Sequence, residues 1–270
     1  MTTSVTRTGS SELHWRRAGV GSPLLLLHGI TDSSACWGRV MGDLAGEFDM
    51  VATDARGHGR SSRWAAGVRP TDLADDAAMV IRDVFAGPVA VWGHSMGAAT
   101  ATLLAARHPD LVTRLVLEDP PYSAALPATD AEHAAADMWV RIREMLQTVR
   151  EAAPEERVAL AQRMNPAWPP AELPGWVESK LDVDENVLGG DVIDRDWRTP
   201  LASVTAPVLL VIGSPERGSA VDDATAEALV QAHPDTQVRR FPVGHNVHRE
   251  AYEDVLGAVR AFLTPAREPS

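Results

Sequence analysis

The chain has 270 residues, with 25 Lys and Arg against 37 Asp and Glu, for a formal net charge of −12. That acidic balance, with no basic run to offset it, argues against a nucleic-acid or anionic-membrane partner. A single cysteine, Cys36, excludes an internal disulfide framework and fits a reducing compartment. Residues 4–18 are polar with some alternation, which predicts a short hairpin around Gly9-Ser10. Residues 23–27 read PLLLL, a continuous apolar strand of the kind buried on both faces of a sheet, ending at His28-Gly29-Ile30-Thr31-Asp32. Residues 37–44 predict a helix and 48–53 the next strand, followed by a glycine-rich polar turn from Asp54 to Ser61. Residues 73–85 carry Leu73, Ala77, Val80, Ile81 and Val84 at helical spacing. The run 89–92 is apolar, stops at Gly93-His94-Ser95-Met96-Gly97, and gives way to an alanine-rich helix ending near Arg107. Residues 112–117 predict a further strand, leaving through Glu118-Asp119-Pro120-Pro121-Tyr122. This alternation implies a mostly parallel sheet with right-handed crossovers.

The pattern changes between residues 120 and 200, where no convincing buried strand occurs. Residues 130–150 and 154–164 read as helices, with a weaker helical pattern at 170–180, and prolines cut the region into short pieces. Its Met and Trp residues, Trp139 and Trp176 among them, fit either the inner face of a helical layer or the mouth of a pocket. Regular order resumes with a strand at 207–212, a helix at 222–232, a strand at 236–241 and a closing helix at 249–263, with frayed final residues expected. The boundaries predicted are a core of 1–119 and 201–270 and an insertion of 120–200. Residues 1–19 hold no apolar signal-peptide core and no stretch is long enough for a membrane span, so a cytoplasmic location is expected.

The chemistry centres on Ser95. G-x-S-x-G between a strand and a helix puts the serine on a sharp turn with its hydroxyl exposed, beside the unpaired N–H groups of the helix start. The alternative is a plain strand–helix turn. A serine needs a base to take its proton, usually a histidine held by a carboxylate. Of nine histidines, His28 and His94 lie inside glycine turns and read as structural, while His58, His108, His133 and His233 read as solvated. His245 follows the last strand in a Gly-His loop and is the candidate base; His248 is its competitor. No spacing suggests a metal site.

His28-Gly29, Asp54-x-Arg56-Gly57-x-Gly59-x-Ser61, Gly93-His94-Ser95-Met96-Gly97 and Gly244-His245 occur in that order. On these motifs the chain resembles the α/β-hydrolase fold superfamily over nearly its whole length, most closely the cap-bearing esterase, lactonase and C–C-hydrolase branch. The resemblance implies a mainly parallel eight-stranded sheet with helices on both faces, and a helical cap at 120–200. It implies Ser95 as nucleophile, His245 as general base and acid, and the Ile30 and Met96 N–H groups as oxyanion hole. The acid departs from the usual pattern. The turn after residues 208–212 reads Gly213-Ser214-Pro215-Glu216-Arg217-Gly218, with Glu216 but no aspartate. A minority of relatives, some zearalenone-type lactonases included, carry the acid after the preceding strand, and Asp119 falls there. Asp119 is therefore favoured, with Glu216 and then Glu118 as alternatives. Glu118 and Asp119 alternate along the strand, so both cannot face one histidine.

The function expected is hydrolysis of a small or medium apolar carboxylic ester or lactone through an acyl-enzyme, with no cofactor and no metal. Trp139, Trp176 and Tyr122 are the candidate substrate contacts. Hydrolysis of a C–C bond in a β-diketone-like compound, or a non-catalytic small-ligand receptor on the same fold, are the competing readings.

Overall fold

A computed structural model describes residues 1–8, 11–123, 128–188 and 196–264. The polar N-terminal stretch forms two antiparallel strands, β1 (Thr2–Thr8) and β2 (Ser11–Ala18). The turn expected at Gly9-Ser10 and the expected frayed end at 265–270 lie outside the described residues. In β3 (Ser22–Leu27), Leu24, Leu25 and Leu26 are fully buried. Side chains alternate across the pleat, so Leu25 and Leu27 join the core cluster on one face and Leu24 and Leu26 the cluster on the other. Burial of each such leucine contributes about 2 kcal/mol, which is why this strand tolerates no polar position.

A 3-10 turn, Ser34–Trp37, leads into α1 (Gly38–Asp43), so the helix expected at 37–44 starts tighter than its periodicity implied. Then come β4 (Phe48–Thr53), α2 (Pro70–Val84), β5 (Val89–His94), α3 (Met96–Arg107) and β6 (Val112–Glu118). Helix α3 is buried from Met96 to Ala105, so its small side chains serve packing rather than solvation. The stretch without strands holds α4 (Ala128–Glu151), α5 (Arg157–Met164), α6 (Leu173–Asp182) and α7 (Arg198–Ser203). Of these, α7 already packs Leu201 into the cluster beneath α2 and α3. The chain ends with β7 (Val208–Ile212), α8 (Asp223–Ala232), β8 (Gln237–Arg240), α9 (Val247–Glu250) and α10 (Tyr252–Leu263). The single closing helix expected at 249–263 is thus two helices, broken at Ala251, whose φ of −123° and ψ of 47° leave the helical region.

The eight strands form one sheet in the order β1-β2-β4-β3-β5-β6-β7-β8, antiparallel through β4 on the β1–β2 side and parallel from β4 to β8. β3 has β4 on one side and β5 on the other, so the winding reverses there. The loops leaving the C-terminal ends of β3 and β5 therefore flank the crevice where open α/β sheets hold ligands. Among the described residues no helix is long and apolar enough to cross a membrane.

Candidate active site

Three non-glycine residues among those described have positive φ: Thr31 at 66°, Ser95 at 52° and Asp119 at 41°. All three sit just past a strand end on one edge of the sheet, after β3, β5 and β6. Such backbone is costly for these residue types and persists only where surrounding contacts impose it. At Ser95 the causes are visible. Its N–H donates to the Glu118 carbonyl (2.9 Å) and its carbonyl accepts from Ala98 N–H (2.9 Å), so strand and helix grip it from both sides. A Cβ on Gly93 would collide with the Gly97 carbonyl, and one on Gly97 with the Leu27 carbonyl, so the turn needs glycine on both flanks. Met96 is the first residue of α3, and its N–H has no partner within the helix.

Asp119 is completely buried. Its Oδ1 accepts from Ser219 Oγ (2.6 Å), while Oδ2 accepts from Ala220 N–H (2.8 Å) and lies 2.6 Å from His245 Nδ1. His245 thereby has its Nδ1–H committed to a carboxylate, which leaves Nε2 to act as acceptor. The loop carrying His245 is braced from behind: the His94 ring, 4.9 Å from that of His245, donates from Nε2 to the His245 carbonyl (3.1 Å). Burial drives His94 down to about 3, so the ring is neutral. Glu216 lies exposed in the Pro215–Arg217 turn, and His245 is bonded to Asp119 instead.

Glu118 serves the other histidine. Its Oε1 accepts from both the backbone N–H (2.8 Å) and Nδ1–H (2.7 Å) of His248, and its Oε2 from Trp92 Nε1–H (3.0 Å). Burial alone would raise this carboxyl, yet His248 pulls it down to about 2. His248 is itself buried and stacked on Trp37, with ring centroids 4.9 Å apart. It anchors α9, immediately after His245.

Three of the histidines expected to be solvated are not: His233 is half-buried with Nδ1 3.0 Å from Thr236 Oγ1, and the other two are His58 and His108. His58 is buried beside His28, donating from Nδ1 to the Arg56 carbonyl (2.9 Å) and accepting Thr31 N–H at Nε2 (3.3 Å). Burial, with His28 alongside, lowers it to about 3. His108 is half-buried against Asp75. The side chain of His133 lies outside the described residues.

Ser95, His245, Ile30 and Met96 line one cavity of about 510 Å³, walled by Met138, Trp139, Ile142, Met145, Trp168 and Trp176. Tyr122 is not part of that wall. The chain turns through Pro120-Pro121, and Tyr122 stacks at 5.0 Å on Trp197 within the core. Sequence reasoning also missed three charged residues of the same wall. Asp32 bridges Lys180 Nζ (2.6 Å) and Arg249 (2.6 Å), all three buried. Burial works to raise Asp32, but Arg249 and Lys180 hold it well below the carboxylate range. A lysine in a helix and an arginine in a helix read as solvated charges, and nothing in their spacing says otherwise. Among the described residues no three His, Cys, Asp or Glu side chains converge in a way that could hold a metal ion.

A family model described as alpha/beta hydrolase fold matches residues 22–252. The 2-(acetamidomethylene)succinate hydrolase of Mesorhizobium japonicum is 30% identical over 94% of this chain and 92% of its own length. The lipase LipV of Mycobacterium tuberculosis is 29% identical over 94% of this chain and 98% of its own. A crystal structure of E-2-(acetamidomethylene)succinate hydrolase superposes with a TM-score of 0.77 at 25% identity, covering 97% of this chain and 98% of that one.

Proposed function

The chain belongs to the α/β-hydrolase family, and on that footing we propose a serine hydrolase that cleaves a small or medium carboxylic ester or lactone through an acyl-enzyme. Ser95 Oγ attacks the carbonyl carbon as His245 Nε2 takes its proton, and Asp119 stabilises the resulting imidazolium. The oxyanion is held by the N–H groups of Met96 and Ile30. His245 then protonates the leaving alcohol. In the second half it activates a water that releases the acid and restores Ser95. Residues 120–200 act as a cap over the core of 1–119 and 201–270, and Trp139 and Trp176 shape the acyl or alcohol site.

The observation that carries this reading is the contact of buried Asp119 with His245, 2.6 Å, behind the cavity that His245 lines together with strained Ser95. The test is turnover of p-nitrophenyl acyl esters. Ser95→Ala is expected to lower it by about a thousandfold or more with the fold intact. A fluorophosphonate adduct should map to Ser95 by mass spectrometry. A folded Ser95→Ala protein with near-full activity would remove the nucleophile from this reading.

A second reading gives the substrate a carboxylate of its own. It is favoured by the buried cations Arg249 and Lys180 in the cavity wall, although Arg249 already pairs with Asp32 (2.6 Å) and faces Glu172 at 4.0 Å. The relative at 30% identity is a hydrolase of 2-(acetamidomethylene)succinate. Comparing neutral acyl esters with succinate monoesters of the same alcohol separates the two.

A further inference from the structure

The loop after β3 is a tight turn. Asp32 N–H donates to the Gly29 carbonyl (3.1 Å), which puts Ile30 and Thr31 at the two central positions. Thr31, third in the turn, has φ of 66°, a conformation that suits glycine or asparagine and that a β-branched residue adopts only under constraint. The turn also runs against the nucleophile, since a Cβ on Gly29 would lie 3.3 Å from Ser95 Cβ. Something outside the turn must therefore hold it.

The holding groups are His58 and Lys180. His58 Nε2 accepts the Thr31 N–H, and Lys180 Nζ donates to the Thr31 carbonyl (2.9 Å) and to Asp32 Oδ1 (2.6 Å). Both peptide planes flanking Thr31 are fixed in this way. His58 belongs to the core, but Lys180 belongs to α6, in the helical insertion, about 150 residues further along the chain. Its third proton goes to Ser179 Oγ (3.2 Å). An ammonium has three donors, and all three are in use, so Lys180 has none left for a substrate although it lines the cavity.

A second, independent contact binds the same two elements. Gly175, also on α6, packs so closely on the turn following Asp32 that a Cβ there would run into the Ala35 carbonyl. Helix α6 thus meets the segment Thr31–Ala35 through a buried ammonium and through a glycine.

We propose that Lys180 is a positioning residue for the oxyanion hole: it ties the Gly29–Asp32 turn to the insertion and so sets the Ile30 N–H. Docking of α6 is then a condition of catalysis and not only a shape for the pocket. This rests on the serine-hydrolase reading above, with Ile30 as an oxyanion donor.

The experiment compares wild type with Lys180→Met on p-nitrophenyl butyrate, using end-point fluorophosphonate labelling of Ser95 to count competent sites. Asp32 keeps Arg249 as a partner in this variant. The expected result is full labelling, kcat lower by about a hundredfold, as for loss of one oxyanion donor, and KM within about threefold. The inhibition constant of butylboronic acid, which forms a tetrahedral adduct on Ser95, should weaken by the same factor as kcat/KM falls. A merely structural lysine would change the labelled fraction but not the turnover per labelled site. Wild-type kcat per site, or a raised KM with kcat unchanged, overturns the proposal. If Lys180→Met does not fold, Gly175→Ala displaces α6 with the ammonium intact; a kcat loss of about tenfold supports the proposal and an unchanged kcat overturns it. Failure of wild-type Ser95 to label would instead overturn the underlying hydrolase reading, and the proposal with it.

Discussion

Replacing Asp119 by asparagine should separate charge from geometry at His245. The native Oδ2 faces two N–H donors, Ala220 N–H at 2.8 Å and His245 Nδ1–H at 2.6 Å, so an amide nitrogen cannot take its place without setting donor against donor. The other end faces Ser219 Oγ, a hydroxyl that can turn to donate to the Val221 carbonyl (3.3 Å) and accept from an amide instead. The asparagine side chain can therefore keep its oxygen towards His245, preserving the tautomer and losing only the negative charge. A unit charge about 4 Å from the imidazolium, in an effective dielectric of about 20, is worth about 4 kcal/mol, or about a thousandfold in rate. A third of the His245 side chain reaches solvent, which screens part of this and brings the expected fall in kcat to between about a hundred and a thousandfold. KM should change little, because the charge acts on the imidazolium that forms during attack. The assay is steady-state hydrolysis of a p-nitrophenyl ester at one fixed pH for all variants, with Glu216→Gln alongside. Glu216→Gln is expected within about twofold of wild type, as its side chain is an exposed loop charge. A larger loss for Glu216→Gln than for Asp119→Asn would refute the assignment of the acid.

Glu118→Gln should behave in the opposite way. Each oxygen of Glu118 faces at least one N–H donor, so either amide orientation strands a buried donor of Trp92 or His248; a loss of about 3 kcal/mol in urea unfolding is expected, and an unchanged midpoint would contradict the bonding described. Trp139→Ala, in the cavity wall, should shift preference among acyl chain lengths by more than about tenfold while the fastest substrate changes far less; a uniform loss across the series counts against a specificity role. Acid should destabilise the fold above the carboxylate range. His58 and His94 are neutral when folded, at about 3, against an ordinary 6.5. The unfolded chain binds more protons between those values, so stability is complete above about pH 7 and falls as the pH drops. By about pH 5 each should cost about 2 kcal/mol. Equal urea midpoints at about pH 7.5 and about pH 5 would exclude this.

The elbow around Ser95 was legible because its meaning is local: an apolar strand, two glycines that permit contact, and a helix. The continuous apolar run of 23–27 made β3 legible for the same reason, and residues 120–200 stood out by lacking any such run. Where the reading failed, the cause lay in contacts between distant segments. Tyr122 was expected among the substrate contacts, but past the Pro120-Pro121 exit it stacks on Trp197 instead. His58 looked like a loop histidine, yet the loop it belongs to folds back beneath Thr31. The break at Ala251 is masked by apolar periodicity that continues through it.

The neighbouring acids at the end of β6 illustrate how far a local rule reaches. Alternation along the strand implied that Glu118 and Asp119 could not share a histidine, and it left open what the second acid would do. The structure gives each its own: Asp119 bonds His245 and Glu118 bonds His248, three residues on. The separation is what allows both to be buried at one strand end, since each carboxylate has hydrogen-bond donors on both oxygens and neither needs the other's partner. Glu118 fixes the start of α9 through the His248 backbone, and His94 fixes the His245 carbonyl. The His245 loop is thereby held at both ends before Asp119 orients the ring. The triad we propose would take its acid from the strand adjacent to the nucleophile's own, with Ser95, Asp119 and His245 set by β5, β6 and the β8–α9 loop. The turn after β7, the usual home of the acid, is left to hold Asp119 through Ser219 and Ala220.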